Sequence, residues 1–153
     1  MSKRLEQHLF STIVENTPLI SIDLIVVNNE GKALLGQRQN RPAQNYWFVP
    51  GGRIFKDESF ETAFKRITKE ELGKEVCLNE SIFVGVYEHF YSDNFTGADF
   101  TTHYVVHSYR LELELLDSDL PRTQHAAYQW FDIQTLLSSN SVHQYTKNYF
   151  LSR

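Results

Sequence analysis

The sequence predicts an α/β fold in which a mixed β-sheet is flanked by helices. Residues 20–27, 82–91 and 101–115 are rich in β-branched and aromatic side chains, which is typical of strands. Residues 59–72 instead repeat apolar side chains at three- and four-residue spacing, which indicates an amphipathic helix. At 153 residues, the chain suits a single domain over residues 1–153 with a sizeable core.

Shorter patterns predict the remaining elements. Leu5, Leu9, Ile13 and Val14 favour a short N-terminal helix that ends before Pro18. The other strands are expected at residues 32–38, 46–49 and 128–131, with turns or loops at 28–31, 92–98 and 117–127. Two short helices are expected after Asp132.

Composition excludes several classes of protein. The 41% apolar and 22% charged residues are typical of a soluble globular chain. The net charge of −4 and the lack of a basic stripe argue against nucleic-acid binding. Cys77 is the one cysteine, so there is no internal disulfide, which suits a reducing cytoplasm. No apolar run approaches ~20 residues and no signal-peptide core is present, so we expect a cytoplasmic protein without a membrane partner.

Glu71 is an acid where the pattern of the helix at 59–72 calls for an apolar side chain. At roughly 100° per residue, it projects between Phe60 and Phe64 in the apolar stripe. A buried carboxylate is costly there unless a positive group lies against it, and the stripe contains no Lys or Arg. A bound metal ion is therefore a candidate partner. Alternatively, the stripe stops at Ile67 and Glu71 lies on a frayed last turn.

Glycines lie on both sides of this helix. Gly51 and Gly52 fall between an expected strand and the helix, where they permit a tight turn and close backbone approach to a ligand. Asp57 is a candidate N-cap, and Gly73 is placed to end the helix with a positive φ. The predicted layout is a strand, a glycine loop, a helix with an inward acid, and a glycine stop.

This layout resembles the Nudix box, the signature of the Nudix hydrolases. The fixed glycine, arginine and glutamate positions are met at the family's spacing by Gly52, Glu58, Arg66, Glu70, Glu71 and Gly73. Ile67 departs from the pattern because it replaces a glutamate, Lys74 replaces an apolar residue, and Thr68 stands at another apolar position. The resemblance implies the Nudix fold, an α/β/α sandwich around a mixed β-sheet.

The departure at Ile67 has a chemical consequence. In ordinary Nudix pyrophosphohydrolases, the glutamate at this position helps to bind metal and is often the general base. Isoleucine can do neither, so fewer divalent ions should bind through this helix and the base must come from elsewhere. An alternative interpretation is that Ile67 marks an inactive protein kept as a binding module.

A second resemblance covers nearly the whole chain. Its segments are residues 34–38, 40–44, 46–53, 89–95 and 99–104. They are similar to GDP-mannose mannosyl hydrolases, the Nudix branch that lacks the second glutamate of the box and breaks a carbon–oxygen bond. The resemblance implies Mg²⁺-dependent hydrolysis of GDP-mannose, or of GDP-glucose, to GDP and free sugar. The two sugars differ in the configuration of one hydroxyl, and the sequence does not separate them.

The same resemblance implies a metal site with three oxygen ligands. They are the carboxylate of Glu71, the main-chain carbonyl of Gly51 and the side-chain carbonyl of Gln124. Such ligands suit Mg²⁺, with Mn²⁺ as a possible substitute. Glu70 lies at the edge of the stripe, where it either supports the site indirectly or is a solvated acid.

The resemblance also assigns catalytic and substrate-binding residues. His125 is expected to deprotonate the attacking water, and Arg38 and Arg53 to bind the diphosphate and assist its departure. Arg66 is expected to pair with Glu58 and orient the box. The positions expected to face sugar or phosphate are Asp23, His89 and Tyr104. Attack on the face opposite the leaving group would invert the anomeric configuration.

The sequence is also compatible with two other functions. One is a conventional Nudix pyrophosphohydrolase that cuts a nucleoside diphosphate derivative at phosphorus. The other is a non-catalytic module that binds nucleotide sugars. The relatives further imply a homodimer, formed through the N-terminal segment.

Overall fold

The computed structural model describes residues 4–121 and 125–151, without the side chains of residues 125 and 126. Within these ranges the chain forms seven strands and four α-helices. The strands are β1 (Leu19–Val27), β2 (Ala33–Arg38), β3 (Trp47–Phe48), β4 (Gly51–Arg53), β5 (Ile82–Tyr91), β6 (Thr102–Glu112) and β7 (His125–Phe131). The helices are α1 (Gln7–Asn16), α2 (Phe60–Leu72), α3 (Ile133–Ser138) and α4 (Gln144–Asn148).

All seven strands belong to one mixed sheet. Its main path runs β3-β2-β1-β6-β5, with β4 paired to β1 and β7 paired to β2. The β1–β6 pair is parallel, and the other pairs are antiparallel. The predicted mixed sheet with flanking helices is therefore confirmed.

Strand β2 shows how one sheet supplies two apolar layers. Successive side chains of a strand point to opposite faces. Leu34 packs in a cluster with Phe64, Ile67 and Leu72 of α2. Its neighbour Leu35 packs on the opposite face, in a cluster with Leu136 of α3. Helices thus cover both faces of the sheet.

The sheet splits between β1 and β2. These strands are paired only at Val27 and Ala33. Farther along, β1 pairs with β4 at residues 21–23, whereas β2 pairs with β3 and β7. The strands therefore diverge, and the opening between them forms the cavity described below.

The ends of α2 differ in part from the prediction. Its N-cap is Ser59, whose hydroxyl accepts a hydrogen bond from the Thr62 N–H, so the prediction of Asp57 as N-cap is wrong. Asp57 instead adopts a φ of 70° in the preceding turn, a conformation that aspartate tolerates better than most residues. Gly73 does end the helix, with a φ of 75°, and an added Cβ there would collide with the Asp119 carbonyl.

Three parts of the strand prediction differ from the structure by more than one residue. The Gly51–Gly52 stretch, expected to be a loop, is part of strand β4, because its backbone pairs with β1. Strand β6 ends at Glu112, three residues before the expected end. Strand β7 begins at His125, inside the expected 117–127 loop, because it pairs with β2 far away in sequence.

Thr68, the mismatch at an apolar box position, is fully buried. Its hydroxyl donates to the Phe64 carbonyl at 2.9 Å and accepts from the Val76 N–H at 3.0 Å. A satisfied hydroxyl can replace an apolar group in a core.

None of the helices in the described part of the chain is long and apolar enough to cross a membrane.

Candidate active site

A cavity of about 110 Å³ lies where the sheet splits. It brings together seven of the nine residues that the sequence predicted for the site. These are Asp23, Arg38, Gly51, Arg53, Glu71, His89 and Tyr104. The cavity continues into a second lobe of about 290 Å³ that shares Arg38, Arg53, Glu71 and Tyr104 and extends to Arg4 and Phe55.

Glu71 is buried, with 4% of its surface exposed. Helix α2 continues to Leu72, which is fully buried, so the alternative of a frayed last turn is wrong. The Gly51 N–H donates to Glu71 Oε1 at 3.3 Å, and the hydroxyl of Tyr128 donates to the Glu71 carbonyl at 3.2 Å. These contacts hold the end of α2 against β4 and turn the carboxylate toward both lobes.

Ile67 occupies the place beside Gly52 where the box pattern has a glutamate. Its side chain is 1% exposed and belongs to the main apolar cluster. A Cβ added to Gly52 would lie 3.3 Å from Ile67 Cγ1, so the glycine allows α2 to pack closely on β4. An apolar contact therefore replaces a charged group at this point of the site.

The predicted ion pair of Arg66 and Glu58 forms. Arg66 Nε donates to Glu58 Oε2 at 2.8 Å, and Arg66 also donates to the carbonyl of Arg53 at 2.7 Å. Glu58 Oε1 accepts from the Phe55 N–H at 2.7 Å. The hydrogen bond from Arg66 holds the pKa of Glu58 below its usual range. The pair thus ties α2 to the segment between β4 and the helix.

Glu70 is engaged by two arginines. Its carboxylate lies 3.0 Å from Arg4 and 3.3 Å from Arg66. The Arg66 contact spans one helical turn, and the Arg4 contact joins α2 to the segment before α1. Glu70 therefore serves as an ion-pair partner at the rim of the second lobe.

The guanidinium groups of Arg38 and Arg53 contact a backbone carbonyl and aromatic rings. Arg38 Nε donates to the Pro42 carbonyl at 2.8 Å. The Arg53 guanidinium lies 4.9 Å from the ring centre of Phe10 and 4.8 Å from that of Phe55. Among the described side chains, neither arginine forms an ion pair with a carboxylate. Two guanidiniums beside one cavity can bind an anion such as a diphosphate.

Asp23 of β1 and His89 of β5 approach the same hydroxyl group, that of Tyr149. The hydroxyl of Tyr149 donates to Asp23 Oδ2 at 2.6 Å and lies 3.5 Å from His89 Nε2. Burial raises the pKa of Asp23 to about 7, although the Tyr149 hydrogen bond and the charge of Arg38 oppose the shift. Burial also lowers the pKa of His89 to about 4, so its imidazole is neutral near pH 7.

The raised pKa of Asp23 predicts that Asp23→Asn stabilises the fold at high pH. An unfolded Asp23 loses its proton near its ordinary pKa of 3.8, whereas the folded protein keeps it until about pH 7. The free energy of unfolding therefore falls as pH rises between these two pKa values, and the loss of stability is complete above the higher one. A difference of about three between the two pKa values corresponds to a loss of at most about 4 kcal/mol in the free energy of unfolding. Because Asp23 lines the cavity, solvent lowers the expected loss to ~1–3 kcal/mol.

Urea unfolding in metal-free buffer at pH 4 and pH 8 measures the effect. Asp23→Asn should exceed the wild type in stability at pH 8 and match it at pH 4. The control is Asp57→Asn, since the Asp57 side chain is 87% exposed and should show no pH-dependent difference. A gain for Asp23→Asn that is equal at both pH values would contradict the burial argument.

Tyr104 lies on β6, directly opposite His89 of β5. It lines both lobes of the cavity, and burial raises the pKa of its hydroxyl. The hydroxyl is therefore protonated at neutral pH and can act as a hydrogen-bond donor.

The two remaining predicted residues lie at the start of β7. Gln124 falls outside the described residues. The backbone of His125 pairs with Arg38 of β2, which places this position beside a residue that lines the cavity. The predicted roles of Gln124 and His125 therefore stay predictions.

The described part of the site fits an oxygen-ligated divalent cation. Glu71 supplies a buried carboxylate that faces the cavity, and the backbone of Gly51 lies beside it. No group of three or more His, Cys, Asp and Glu side chains suited to a metal occurs in the described ranges. A site made of one carboxylate, a main-chain carbonyl and a side-chain amide would not form such a group.

Sequence reasoning missed the residues that support the cavity from the C-terminal segment. Tyr145 stacks on His89, with ring centres 4.2 Å apart and planes within 4°. His143 stacks on Phe48 at 4.7 Å. These residues follow no catalytic motif, and only the high aromatic content of the chain, 14%, could have drawn attention to them.

The chain belongs to the Nudix family. The sequence signature of the NUDIX domain matches residues 17–150, which include α2 and every residue that lines the 110 Å³ cavity. The protein is thus a Nudix hydrolase, a class that generally uses divalent metals such as Mg²⁺.

Similar proteins agree with this assignment. The low-salt glycan biosynthesis protein Agl8 of Haloferax volcanii is 38% identical over 130 residues, covering 84% of this chain and 80% of that protein. The fold matches a MutT NUDIX hydrolase from Burkholderia pseudomallei with a TM-score of 0.66, at 23% identity and 88% and 96% coverage. It also matches a MutT protein from Methanosarcina mazei with a TM-score of 0.65, at 20% identity and 88% and 92% coverage.

Proposed function

We propose that this protein hydrolyses GDP-mannose, and also GDP-glucose, to GDP and free sugar in a Mg²⁺-dependent reaction. The observation that carries the proposal is the combination of Arg38, Arg53 and Glu71 at one cavity while Ile67 replaces the carboxylate of the box. This combination can bind a diphosphate, yet α2 lacks the group that usually activates water for attack on phosphorus. The similarity to a Haloferax volcanii glycan biosynthesis protein supports a nucleotide-sugar substrate.

The site residues predicted from the sequence have the following roles in this reaction. Arg38 and Arg53 bind the diphosphate through their open guanidinium donors and stabilise the charge that develops as GDP leaves. Tyr104, protonated at neutral pH, donates a hydrogen bond to the substrate. Asp23 and the neutral His89 contact sugar or phosphate oxygens. Glu71, the Gly51 carbonyl and Gln124 would hold a divalent cation, which supplies positive charge against the diphosphate.

His125 removes the proton from the attacking water. The water oxygen bonds to the anomeric carbon while the bond from that carbon to the diphosphate oxygen breaks, and the electron pair leaves with GDP. Attack opposite the leaving group converts the α-linked donor into the β-sugar. Because a diphosphate is a good leaving group, no carboxylic acid is needed to protonate it, unlike in ordinary glycosidases.

Hydrolysis in ¹⁸O-labelled water tests the site of attack. We expect the label in the free sugar and none in phosphate groups, because water attacks carbon. Label in mannose 1-phosphate or GMP would establish attack at phosphorus, the reaction of a conventional Nudix pyrophosphohydrolase. Glu70, Glu71 and the Arg66–Glu58 pair, which the chain keeps, make that reaction the second candidate.

The homodimer is a further part of the proposal. Four apolar side chains of β5 are more than half exposed on the edge strand of the sheet, namely Ile82, Phe83, Val86 and Phe90. Exposed apolar patches of this kind are characteristic of protein interfaces. We propose that a second copy covers this surface in addition to contacts made by the N-terminal segment.

A further inference from the structure

The hydroxyl of Tyr149 contacts two residues of the cavity wall, Asp23 and His89, although Tyr149 itself does not line the cavity. It directly follows α4, and its hydroxyl donates to Asp23 Oδ2 at 2.6 Å. The same oxygen lies 3.5 Å from Nε2 of His89, which is 4% exposed. Asp23 and His89 line the cavity, whereas Tyr149 does not. Its ring packs edge-on against Tyr87, with centres 4.7 Å apart, so the ring itself is braced.

Neighbouring residues hold Tyr149 and His89 in register. Tyr145 stacks on His89, and its hydroxyl exchanges hydrogen bonds of 2.9 and 3.0 Å with the backbone of Phe90. The Thr146 hydroxyl accepts from the Val49 N–H at 3.2 Å in a buried position. These contacts fix the segment 143–149 to β5 and to the end of β3. They thereby hold the Tyr149 hydroxyl beside Asp23 and His89.

Asp23 is confined on its other side by the backbone. A Cβ added to Gly51 would collide with Asp23 Oδ1 and with the Ile22 carbonyl. The carboxyl therefore lies between β4 and the Tyr149 hydroxyl. Removing the hydroxyl would leave Oδ2 without this partner and free the side chain to rotate.

We infer that Tyr149 is a positioning residue that fixes the Asp23 carboxyl and the His89 imidazole in one arrangement facing the cavity. Misplacement of a binding group by ~1 Å can cost up to ~10²-fold in rate. The kinetic consequence rests on the proposed function, whereas the arrangement itself does not.

Tyr149→Phe removes the hydroxyl and keeps the ring. We expect kcat/KM for GDP-mannose to fall about tenfold, because Asp23 and His89 lose their common partner. The matched control is Tyr109→Phe. Tyr109 is a buried tyrosine of the apolar core that packs on Phe64 and lies outside the cavity wall. Its kcat/KM should stay within about twofold of the wild type.

A double-mutant cycle separates positioning from a general loss of stability. In an Asp23→Ala background, Tyr149→Phe should cost clearly less than the tenfold expected in the wild type, because one of the two groups that it positions is gone and only His89 remains. A merely structural role would produce the same tenfold loss in both backgrounds. The four proteins of the cycle are also compared by their Kd for GDP-mannose with Mg²⁺. This second comparison tests the coupling even if Asp23→Ala is too slow for its kcat/KM to be measured.

A spectroscopic measurement is independent of activity. In ¹⁵N-histidine-labelled, ligand-free protein, the ring signals of His89 should shift in Tyr149→Phe and remain in place in Tyr109→Phe. A wild type that neither binds nor hydrolyses GDP-mannose would remove the proposed function, and the His89 signals would still decide the role of Tyr149. Unshifted His89 signals, or equal losses in both backgrounds of the cycle, overturn the inference.

Discussion

Glu71→Gln should lower kcat by at least about 10²-fold at fixed Mg²⁺, because a neutral amide holds a divalent cation far less well than a carboxylate. The fold should persist. The glutamine Oε1 can still accept the Gly51 N–H, and the helix end remains tied by Tyr128 to the Glu71 carbonyl. Rates measured over a range of Mg²⁺ concentrations, alongside thermal unfolding, separate lost metal affinity from lost stability.

Glu70→Gln is the matched control for this prediction. It removes the neighbouring carboxylate of the same helix, which pairs with Arg4 and Arg66 at the rim of the second lobe. Its effect on kcat should be much milder. Near-normal Mg²⁺-dependent activity of Glu71→Gln would remove Glu71 from the metal site, and equal losses in both variants would show that the two roles are misassigned.

His125→Gln should lower kcat by about 10²–10⁴-fold with little change in metal binding, because Ile67 cannot accept a proton and the base must lie elsewhere. The position is adjacent in the sheet to Arg38, which lines the cavity. The kcat profile of the wild type should rise with pH through an ionisation in the histidine range and then flatten. In His125→Gln this rising limb should be absent.

Asp23 provides the critical comparison for the pH profile, since its pKa of about 7 falls in the same range. Asp23→Asn should retain the limb if His125 is the base. A limb that survives in His125→Gln and disappears in Asp23→Asn would transfer the role to Asp23. His89 is a poor substitute, because burial holds its pKa at about 4.

The parts of this molecule that depend on local pattern were predictable. Helix α2, its inward Glu71 and its terminal Gly73 follow from residues within one or two turns of each other. The composition of residues 82–91 and 101–115 predicts the long strands β5 and β6, although it does not fix where β6 ends. Apart from Glu71 and Gly51, the cavity residues were identified through the family resemblance, and the structure brings seven of the nine predicted site residues to one place.

Elements that depend on distant partners were not predictable from local pattern. Strand β4 contains two glycines, which favour a loop, and becomes a strand only because β1 pairs with it. The start of β7 is set in the same way by β2. Tyr149 carries no motif, and its role depends on a contact with a carboxyl 126 positions away. Ser59 and not Asp57 is the N-cap, because Asp57 adopts a left-handed conformation in the turn before the helix.

The split sheet has a consequence for how the protein folds. The Tyr149–Asp23 contact closes a loop of 126 positions, and β1 pairs along its whole length with the distant β6 but with its sequence neighbour β2 only at Val27 and Ala33. Such distant contacts carry a large loop-closure entropy and form late on a folding pathway. The polypeptide should therefore acquire its helices and the β5–β6 hairpin while the substrate pocket is still open, and become competent for ligand only in its last folding step.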